Sequence, residues 1–416
     1  MRAAALLLAL AVTGCKLATL RENEADAARE GAIVGRVAHQ EADYARLVAF
    51  ELEESASGLV ARNYTALAAP GGFIMRGAAG ASYRIGVFAD RNANLRADPD
   101  EPVAIAPEAV TVPRGWKSAA HVDLTLPPAP DGRVPPEALA ALQDLGRVER
   151  KPLPLAIGEV ASLDDERFSP QAGEEGMWAP FDFAVNVGGG VYFLEPYDPK
   201  RTPVLFVSGI GGNPRQWESF VAALDPERYQ AWFFLYPSGA RLGNTALLLE
   251  RCIEALHRRH GFARLYVTAH SMGGLVARGF VRLNQRDPGN QYLRLFVSLA
   301  TPWNGIEWAR IGVRRSPTVM PAWIDLQPGS DYQAALFARP FAPPLDYYLL
   351  WGRKDPDQAL DKASDGVVAA ASQLRAEAVR DARAVQGFKA DHRGILLSPE
   401  VIQAWSALLE AADRRP

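Results

Sequence analysis

One stretch of the sequence decides the fold, and it reads Leu265-Tyr266-Val267-Thr268-Ala269-His270-Ser271-Met272-Gly273-Gly274-Leu275-Val276. A β-branched run stands before Ser271, and a segment of helical character follows it. Small residues lie close to the serine on both sides, because a sharp turn between a strand and a helix leaves no room for larger ones. The stretch therefore predicts a strand, a tight turn at Ser271 and a helix.

The residues on either side of this stretch repeat the alternation of strand and helix. After Phe181, short apolar runs alternate with longer segments of helical spacing. These segments are Val191–Leu194, Val204–Val207, Trp217–Ala223, Ala231–Leu235, Thr245–His257, Leu265–Thr268, Leu275–Leu283, Leu293–Ala300 and Tyr347–Trp351. The alternation predicts an α/β domain over residues 181–416, with a mostly parallel sheet and helices on both of its faces.

The N-terminal third of the chain has a different pattern, in which short β-rich runs are separated by turn residues. The runs are Ala32–Val37, Arg46–Leu52, Gly72–Arg76, Tyr83–Phe88, Ala109–Val112 and His121–Leu126. This spacing predicts a small antiparallel β-sandwich over residues 30–127. Its composition resembles the transthyretin-like or carboxypeptidase-regulatory-like modules of secreted proteins. A linker and irregular segment is predicted over residues 128–180, with a short helix at Pro136–Leu145.

The N-terminus resembles a targeting signal. Met1-Arg2 precedes a run of Ala, Leu and Val over residues 3–12, whereas spanning a bilayer takes roughly 17–25 residues. A signal peptide over residues 1–14 is therefore predicted. Val12-Thr13-Gly14-Cys15 resembles the lipobox of bacterial lipoproteins, which implies a lipidated Cys15 and a polar tether over residues 15–29. An ordinary signal peptide with an incidental cysteine is the alternative.

The length of the chain, its net charge and the residue after Cys15 limit the number of domains, the class of partner and the choice of membrane. A chain of 416 residues suggests two or three domains at about 150 residues each. The net charge of -3, with no long block of one sign, excludes an electrostatic footprint for nucleic acid. Two or more acyl chains would hold the protein on a membrane. Lys16 is not the Asp that retains lipoproteins in the inner membrane of enteric bacteria, which favours the outer membrane.

The stretch around Ser271 resembles the nucleophile elbow of α/β-hydrolase lipases and esterases, with Ala269 where many members have Gly. The resemblance covers about residues 181–411, and its members include bacterial triacylglycerol lipases and esterases of the glycosylphosphatidylinositol deacylase type. It implies an α/β-hydrolase fold and a serine hydrolase that cleaves carboxylic esters, lipid or acyl esters above all, through an acyl-enzyme at Ser271. This chemistry requires no cofactor.

The same resemblance implies two backbone amides that stabilise an oxyanion, one from the residue after the nucleophile and one from an earlier loop. Met272 supplies the first. Ile210 is predicted to supply the second, because it follows the strand Val204–Val207. Many lipases have His-Gly before this amide, whereas this chain has Ser208-Gly209. A backbone donor does not depend on that side chain.

The order of the catalytic residues in the family is serine, acid, histidine. Of the six histidines, His392 alone follows Ser271, so the resemblance assigns it as the general base. His270 is expected to point elsewhere. For the acid, Ser364-Asp365-Gly366-Val367-Val368 resembles the Asp-Gly-Val-Val segment of several bacterial lipases, which favours Asp365. Asp355 is the rival, since it follows the predicted strand Tyr347–Trp351 closely.

Residues 301–346 form a long apolar insertion between two predicted strands. They include Trp303, Trp308, Trp323 and Phe337, and residues 301–305 resemble the Gly-Thr-Pro-His-x-Gly stretch of lipases, with tryptophan at the histidine position. Such an insertion suits an acyl-chain pocket or a lid. Ordinary surface packing is the alternative.

A second site is predicted within the β-rich module. Oxygen ligands stand at the first, third, fifth, ninth and twelfth positions of a calcium loop, and they are Asp90, Asn92, Asn94, Asp98 and Glu101. Leu95 occupies the sixth position, where the loop normally needs Gly for its sharp turn. A solvated Asp/Asn turn is the alternative to a structural calcium ion.

Two other functions stay open from the sequence. An amidase or acyltransferase uses the same triad, since neither the leaving group nor the acceptor is encoded in the elbow. A catalytically inactive surface binding module is the second alternative. The order Ser271, Asp365, His392 argues against it, because a drifting site easily loses one of the three residues.

Overall fold

The computed structural model describes residues 2–39, 46–56, 58–67, 70–114, 119–130, 132, 134–149, 153–360 and 362–415. The chain divides into two compact units. One contains Met1–Arg21, Leu155–Glu250 and His260–Pro416, and the other contains Glu22–Pro154 and Arg251–Arg259.

The strands and helices are numbered in chain order. The strands are β1 (Glu30–Ala38), β2 (Arg46–Ser55), β3 (Gly58–Leu67), β4 (Gly71–Ala78), β5 (Ser82–Asp90), β6 (Val103–Ile105), β7 (Val110–Thr111), β8 (Ala119–Thr125), β9 (Leu155–Val160), β10 (Gly189–Phe193), β11 (Thr202–Val207), β12 (Tyr229–Leu235), β13 (Leu265–His270), β14 (Leu293–Leu299), β15 (Asp346–Arg353) and β16 (Ala384–Lys389). The helices are α1 (Arg2–Ala27), α2 (Pro136–Ala141), α3 (Pro170–Trp178), α4 (Pro180–Asn186), α5 (Glu218–Ala222), α6 (Leu242–His260), α7 (Met272–Asn284), α8 (Glu307–Arg315), α9 (Pro321–Leu326), α10 (Asp331–Leu336), α11 (Ala370–Gln373), α12 (Ala376–Asp381) and α13 (Pro399–Asp413).

The β-rich unit is a sandwich of two sheets, ordered β4-β1-β8 and β3-β2-β5-β6, with β7 paired to β5. The sandwich predicted from the sequence is confirmed, but its purely antiparallel character is wrong, because β1 pairs with β8 in parallel. Side chains from both sheets form the core between them, among them Ile33, Phe73 and Ile85. Strand β3 was not predicted from the sequence, because most of its residues are at least partly exposed and it lacks an apolar pattern.

The second face of strand β2 is also buried, and this corrects the predicted linker. Phe50 and Leu52 pack with Ala138 and Leu142 in one apolar cluster. Residues 136–147, which form α2 and a 3₁₀ turn, are therefore part of the β-rich unit rather than of a linker. Residues 131, 133 and 150–152 of the predicted linker lie outside the described residues.

The α/β unit contains an eight-stranded sheet in the order β16-β15-β14-β13-β11-β12-β10-β9. Strands β11 to β16 all run parallel to one another, whereas β10 runs antiparallel to β12. Strand β13 is buried along its whole length, as expected of a strand covered on both faces. Helices α5 and α13 contribute Phe220 and Trp405 to the apolar cluster on one face, and α7 packs on β11, β13 and β14.

This sheet begins earlier than the sequence predicted. Strand β9 pairs with β10 at the edge of the sheet, and α3 follows it. The start of the α/β domain therefore moves from residue 181 to residue 155. Half-exposed edge strands such as β9 alternate weakly between apolar and polar residues, so the sequence does not reveal them.

The chain order of the central strands creates a topological switch. From β11 the chain passes to β12 on one side, and it then returns to β13 on the other side of β11. In open α/β sheets, ligands bind outside the carboxyl ends of the strands at such a point. The loops after β11 and β13 are therefore where a site is expected.

Helix α1 contains the described residues of the predicted signal peptide, together with the exposed Cys15. Met1 lies outside the described residues. Within the part of the chain that the structure describes, no helix is both long enough and apolar enough to cross a membrane. Signal-peptide cleavage, lipidation and the tether over residues 15–29 stay predictions.

Candidate active site

Ser271 stands at the sharp turn between β13 and α7. Its backbone angles are φ 54° and ψ −132°, a conformation that a residue with a side chain rarely adopts and that costs on the order of 1–3 kcal/mol. A Cβ atom on Gly273 would lie 2.4 Å from the carbonyl oxygen of Val207. The elbow therefore needs glycine at this position, and the turn predicted from the sequence is present.

The structure brings Ser271, His392 and Asp365 into one chain of hydrogen bonds. Ser271 Oγ donates to His392 Nε2 over 2.8 Å, and His392 Nδ1 donates to Asp365 Oδ2 over 2.7 Å. All three side chains are buried. Ser271 follows β13, Asp365 follows β15 and His392 follows β16, so the carboxyl ends of three parallel strands position them.

The surroundings of Asp365 fix its carboxylate. Asp365 Oδ1 accepts hydrogen bonds from the amides of Val367 at 2.9 Å and Val368 at 2.7 Å. Gln373 Nε2 in turn donates to the carbonyl oxygen of Val368 at 3.1 Å. The other carboxylate oxygen of Asp365, Oδ2, is therefore aimed at His392. Asp355 is exposed and accepts a hydrogen bond from the amide of Asp357 at 3.0 Å, so the structure does not bring this rival to the histidine.

The loop after β11 passes directly over Ser271. A Cβ atom on Gly209 would lie 3.2 Å from Ser271 Oγ and 2.8 Å from its Cβ, so only glycine allows this approach. Ile210 comes next in this loop, and Met272 begins α7 directly after the serine. The structure thus places both predicted oxyanion donors on segments adjoining Ser271.

Ser208 has a structural role that explains its presence before Gly209. Its hydroxyl donates to the carbonyl oxygen of Asn213 at 3.1 Å and accepts from Trp217 Nε1 at 3.0 Å. Its own carbonyl oxygen accepts from Tyr236 Oη at 2.6 Å. Trp217 is fully buried and belongs to the apolar core. These contacts stabilise the loop after β11.

Helix α3 also contacts this loop, and sequence analysis missed it. A Cβ atom on Gly211 would lie 3.4 Å from Met177 Sδ, and a Cβ atom on Gly173 of α3 would lie 2.8 Å from the carbonyl oxygen of Gly212. A signal for the start of α3 exists, because Ser169 accepts from the amide of Ala172 at 3.2 Å and precedes a proline. Serine at the N-cap followed by proline at the first helical position is typical of helix starts.

His270 contacts the residue that the sequence assigned as general base. Its Nε2 lies 2.7 Å from the carbonyl oxygen of His392, and the centres of the two imidazole rings are 4.8 Å apart. Burial, followed by the nearby charge of His392, lowers the pKa of His270 to about 3. The sequence predicted that His270 points elsewhere. Its hydrogen bond goes to His392 and not to Ser271. The side chain nevertheless contacts the site, so that prediction is wrong.

The insertion over residues 301–346 consists of helices α8, α9 and α10 and their connections. Trp303 is fully buried and packs edge-on against Tyr347 and Phe337. Trp323 is buried and contacts Trp308, which is 37% exposed. Packing thus accounts for most of the aromatic residues, and a lid or acyl-pocket role stays a prediction.

The predicted calcium loop closes on its own hydrogen bonds. Asp90 is fully buried and accepts from Arg46 Nε at 2.7 Å and from the amide of Leu95 at 3.1 Å. Leu95, at the position of the usual glycine, has a φ of 59°. Glu101 accepts from the amide of Arg91 at 2.6 Å. Further hydrogen bonds join Asn92 and Asn94 to Asp98.

These contacts favour the Asp/Asn turn that the sequence left as the alternative. Oxygens that accept from amides and a guanidinium group are already satisfied without an ion. Across the described ranges, no group of three or more His, Cys, Asp or Glu side chains is arranged to hold a metal ion. Calcium binding at this loop stays an untested prediction.

The sheet order, with a serine elbow after β13 and its histidine after the last strand, decides the architecture. The chain has the α/β-hydrolase fold. A family model, Lecithin:cholesterol acyltransferase, matches residues 246–309, which include Ser271. The match confirms the resemblance to α/β-hydrolases that was inferred from the same stretch. It does not reach Asp365 or His392, and the resemblance to glycosylphosphatidylinositol deacylases stays a prediction.

Solved structures of known proteins are similar to part of this chain. The mature lipase BlEst2 of Bacillus licheniformis is 16% identical, with 53% of this chain and 97% of that chain covered and a TM-score of 0.42. The lin2722 product of Listeria innocua is 18% identical, with 50% and 94% covered and a TM-score of 0.39. Phospholipase PlaB of Legionella pneumophila is 18% identical, with 42% and 45% covered and a TM-score of 0.33. No curated protein matches the chain.

Proposed function

We propose that the protein is a serine hydrolase of carboxylic esters, with Ser271 as nucleophile, His392 as general base and Asp365 as the orienting acid. The hydrogen bonds Ser271 to His392 at 2.8 Å and His392 to Asp365 at 2.7 Å carry this proposal. A serine hydroxyl is a weak nucleophile until an adjacent base takes its proton. A buried carboxylate on the far nitrogen selects the imidazole tautomer that can accept that proton.

The residues support a two-step reaction. Ser271 Oγ attacks the ester carbonyl carbon while its proton passes to His392 Nε2, and the amides of Ile210 and Met272 stabilise the resulting oxyanion. The intermediate collapses, and His392 returns the proton to the leaving alcohol. Water then attacks the acyl-enzyme with His392 again as base, which releases the carboxylic acid and regenerates Ser271.

The proposed substrates are lipid or acyl esters. The family model that matches residues 246–309 is named after an acyltransferase of lecithin and cholesterol, and similar solved structures are called a lipase and a phospholipase. The same family name makes an acyltransferase the second candidate, in which an alcohol instead of water accepts the acyl group from Ser271. Both candidates share the first half of the reaction.

Turnover of p-nitrophenyl esters of increasing chain length tests this proposal. We expect hydrolysis by the wild-type protein, with a preference for one range of acyl lengths. Added long-chain alcohols distinguish the two candidates, because a transferase forms a new ester from them whereas a hydrolase releases only the acid. Absence of p-nitrophenol release at every chain length, together with absence of ester formation, would refute the proposal.

A lipid anchor at Cys15 and a place in the cell envelope, the outer membrane in particular, belong to the same proposal. Cys15 is exposed, and the lipobox-like Val12-Thr13-Gly14-Cys15 is its support. Cys15→Ser should move the protein from the membrane fraction to the soluble fraction without changing the turnover per molecule. Fractionation followed by the ester assay measures both, and full retention of the variant in the membrane would count against the anchor.

A further inference from the structure

His270 joins the strand that carries the nucleophile to the loop that carries the base. It is the last residue of β13, directly before Ser271, and its side chain is 5% exposed. Its Nε2 lies 2.7 Å from the carbonyl oxygen of His392, a residue 122 positions later in the chain. The elbow and the base loop are thus connected twice, once through Ser271 Oγ and His392 Nε2 and once through this contact.

The chemistry of the contact fixes which group donates. A carbonyl oxygen can only accept, so Nε2 of His270 must carry the hydrogen. Burial and the charges of His392 and Arg393 lower the pKa of His270. The ring is therefore neutral at the pH at which esterases work, and it adds no second cation beside the imidazolium that forms on His392 during the reaction.

The main chain of His392 is held on both sides. Its amide donates to the carbonyl oxygen of Asp365 at 3.0 Å, and its carbonyl oxygen accepts from His270. Its ring is held separately, by Asp365 Oδ2 on Nδ1. Without His270, the carbonyl side of His392 would lose its link to the elbow, and only the contacts with Asp365 and Ser271 Oγ would hold His392 in place.

We propose that His270 is a positioning residue, which keeps the main chain of His392 in place so that Nε2 stays within hydrogen-bond reach of Ser271 Oγ. This inference rests on the proposed function, because it assumes that His392 is the base. It differs from a role in core packing, since a packing role needs the volume of the ring but not its N–H group.

A matched pair of variants separates the two roles. His270→Gln keeps an N–H donor at about the reach of Nε2, whereas His270→Met has similar length and volume but no donor. A displacement of about 1 Å at a catalytic group can cost on the order of 100-fold in rate. We expect His270→Met to lose roughly 10- to 100-fold in kcat with little change in KM. We expect His270→Gln to recover most of that loss.

Fluorophosphonate labelling of Ser271 gives an independent readout, because the rate of labelling depends on the base but not on ester binding. It should slow in His270→Met in parallel with kcat, while the melting temperatures of the two variants remain similar. Equal kcat and equal labelling in both variants, with wild-type labelling intact, would overturn the positioning role and leave the proposed function standing. Absence of labelling in the wild-type protein would overturn both.

A measurement on the wild-type protein covers the case in which His270→Met does not fold. Nitrogen-15 NMR of the imidazole rings should show His270 neutral, with its proton on Nε2, from about pH 5 to pH 9. Its unperturbed pKa of about 6.5 would place a titration within this range. Titration of His270 near that value, or a proton on Nδ1, would refute the contact on which the inference rests.

Discussion

Two groups of polar residues stand out in the sequence, and the structure treats them differently. The loop over residues 90–101 draws all its members from one short segment, and they bond to one another and to Arg46. The site around Ser271 draws its members from residues 271, 365 and 392, which a parallel sheet brings together. A local loop can satisfy its polar groups by folding on itself, whereas the convergent site holds the Ser271 hydroxyl in a hydrogen bond to His392.

Because the two groups are built differently, we expect substitutions in them to have different effects. Changes at the convergent site should abolish chemistry and leave the fold intact, because the sheet and not the site residues supports the geometry. Changes at the local loop should weaken the β-rich unit and leave the chemistry intact.

The largest effect is expected at the nucleophile. Ser271→Ala should abolish fluorophosphonate labelling and lower ester turnover on the order of 10⁴- to 10⁶-fold, since the variant lacks the hydroxyl group proposed to form the acyl-enzyme. The exposed Ser162 offers a control, and Ser162→Ala should retain both labelling and turnover. Persistent labelling of Ser271→Ala would show that another serine is the activated one.

The acid is expected to come next. Asp365→Asn should lower kcat on the order of 10⁴-fold, because an amide no longer stabilises the imidazolium or selects the right tautomer of His392. Asp355→Asn is the matched control, and it should change the free energy of unfolding by less than about 0.5 kcal/mol and leave kcat unchanged. Steady-state kinetics on both variants decide the matter. The reverse pattern would transfer the role to Asp355.

In the local loop, Asp90→Asn should act on stability alone. Its fully buried carboxylate accepts from Arg46 and from the amides of Asn94 and Leu95, and an Asn side chain cannot satisfy all three donors. Leaving a buried donor without a partner costs about 1–3 kcal/mol. Urea unfolding should show this loss for the β-rich unit, with normal ester turnover. The exposed Asp100 is the control, and a similar loss in Asp100→Asn would contradict a specific role for Asp90.

The smallest effect is expected from calcium. The oxygens of the loop already accept hydrogen bonds, so neither millimolar calcium nor a chelator should shift the melting temperature of the protein. A calcium-dependent rise of several degrees, absent in Asp98→Asn, would revive the calcium loop predicted from the sequence.

The sequence by itself determined the strand, turn and helix around Ser271, since that local pattern has few alternatives. It also named His392 and Asp365, because the chain order of an α/β-hydrolase leaves one histidine after the serine and Asp365 lies in a family-like segment. The sandwich was visible too, since its inner faces carry a clear apolar pattern. These features depend on residues that are close in sequence or on a fixed chain order.

Only the tertiary structure decided the rest. The parallel pairing of β1 with β8, the inclusion of β9 in the large sheet and the contact of α3 with the loop after β11 all join segments that are distant in the chain. Edge strands are half-exposed and carry a weak apolar pattern, so their partners cannot be predicted from their own residues. The hydrogen bond from His270 to His392 has no local signal, because it depends on how the end of β13 faces the loop after β16.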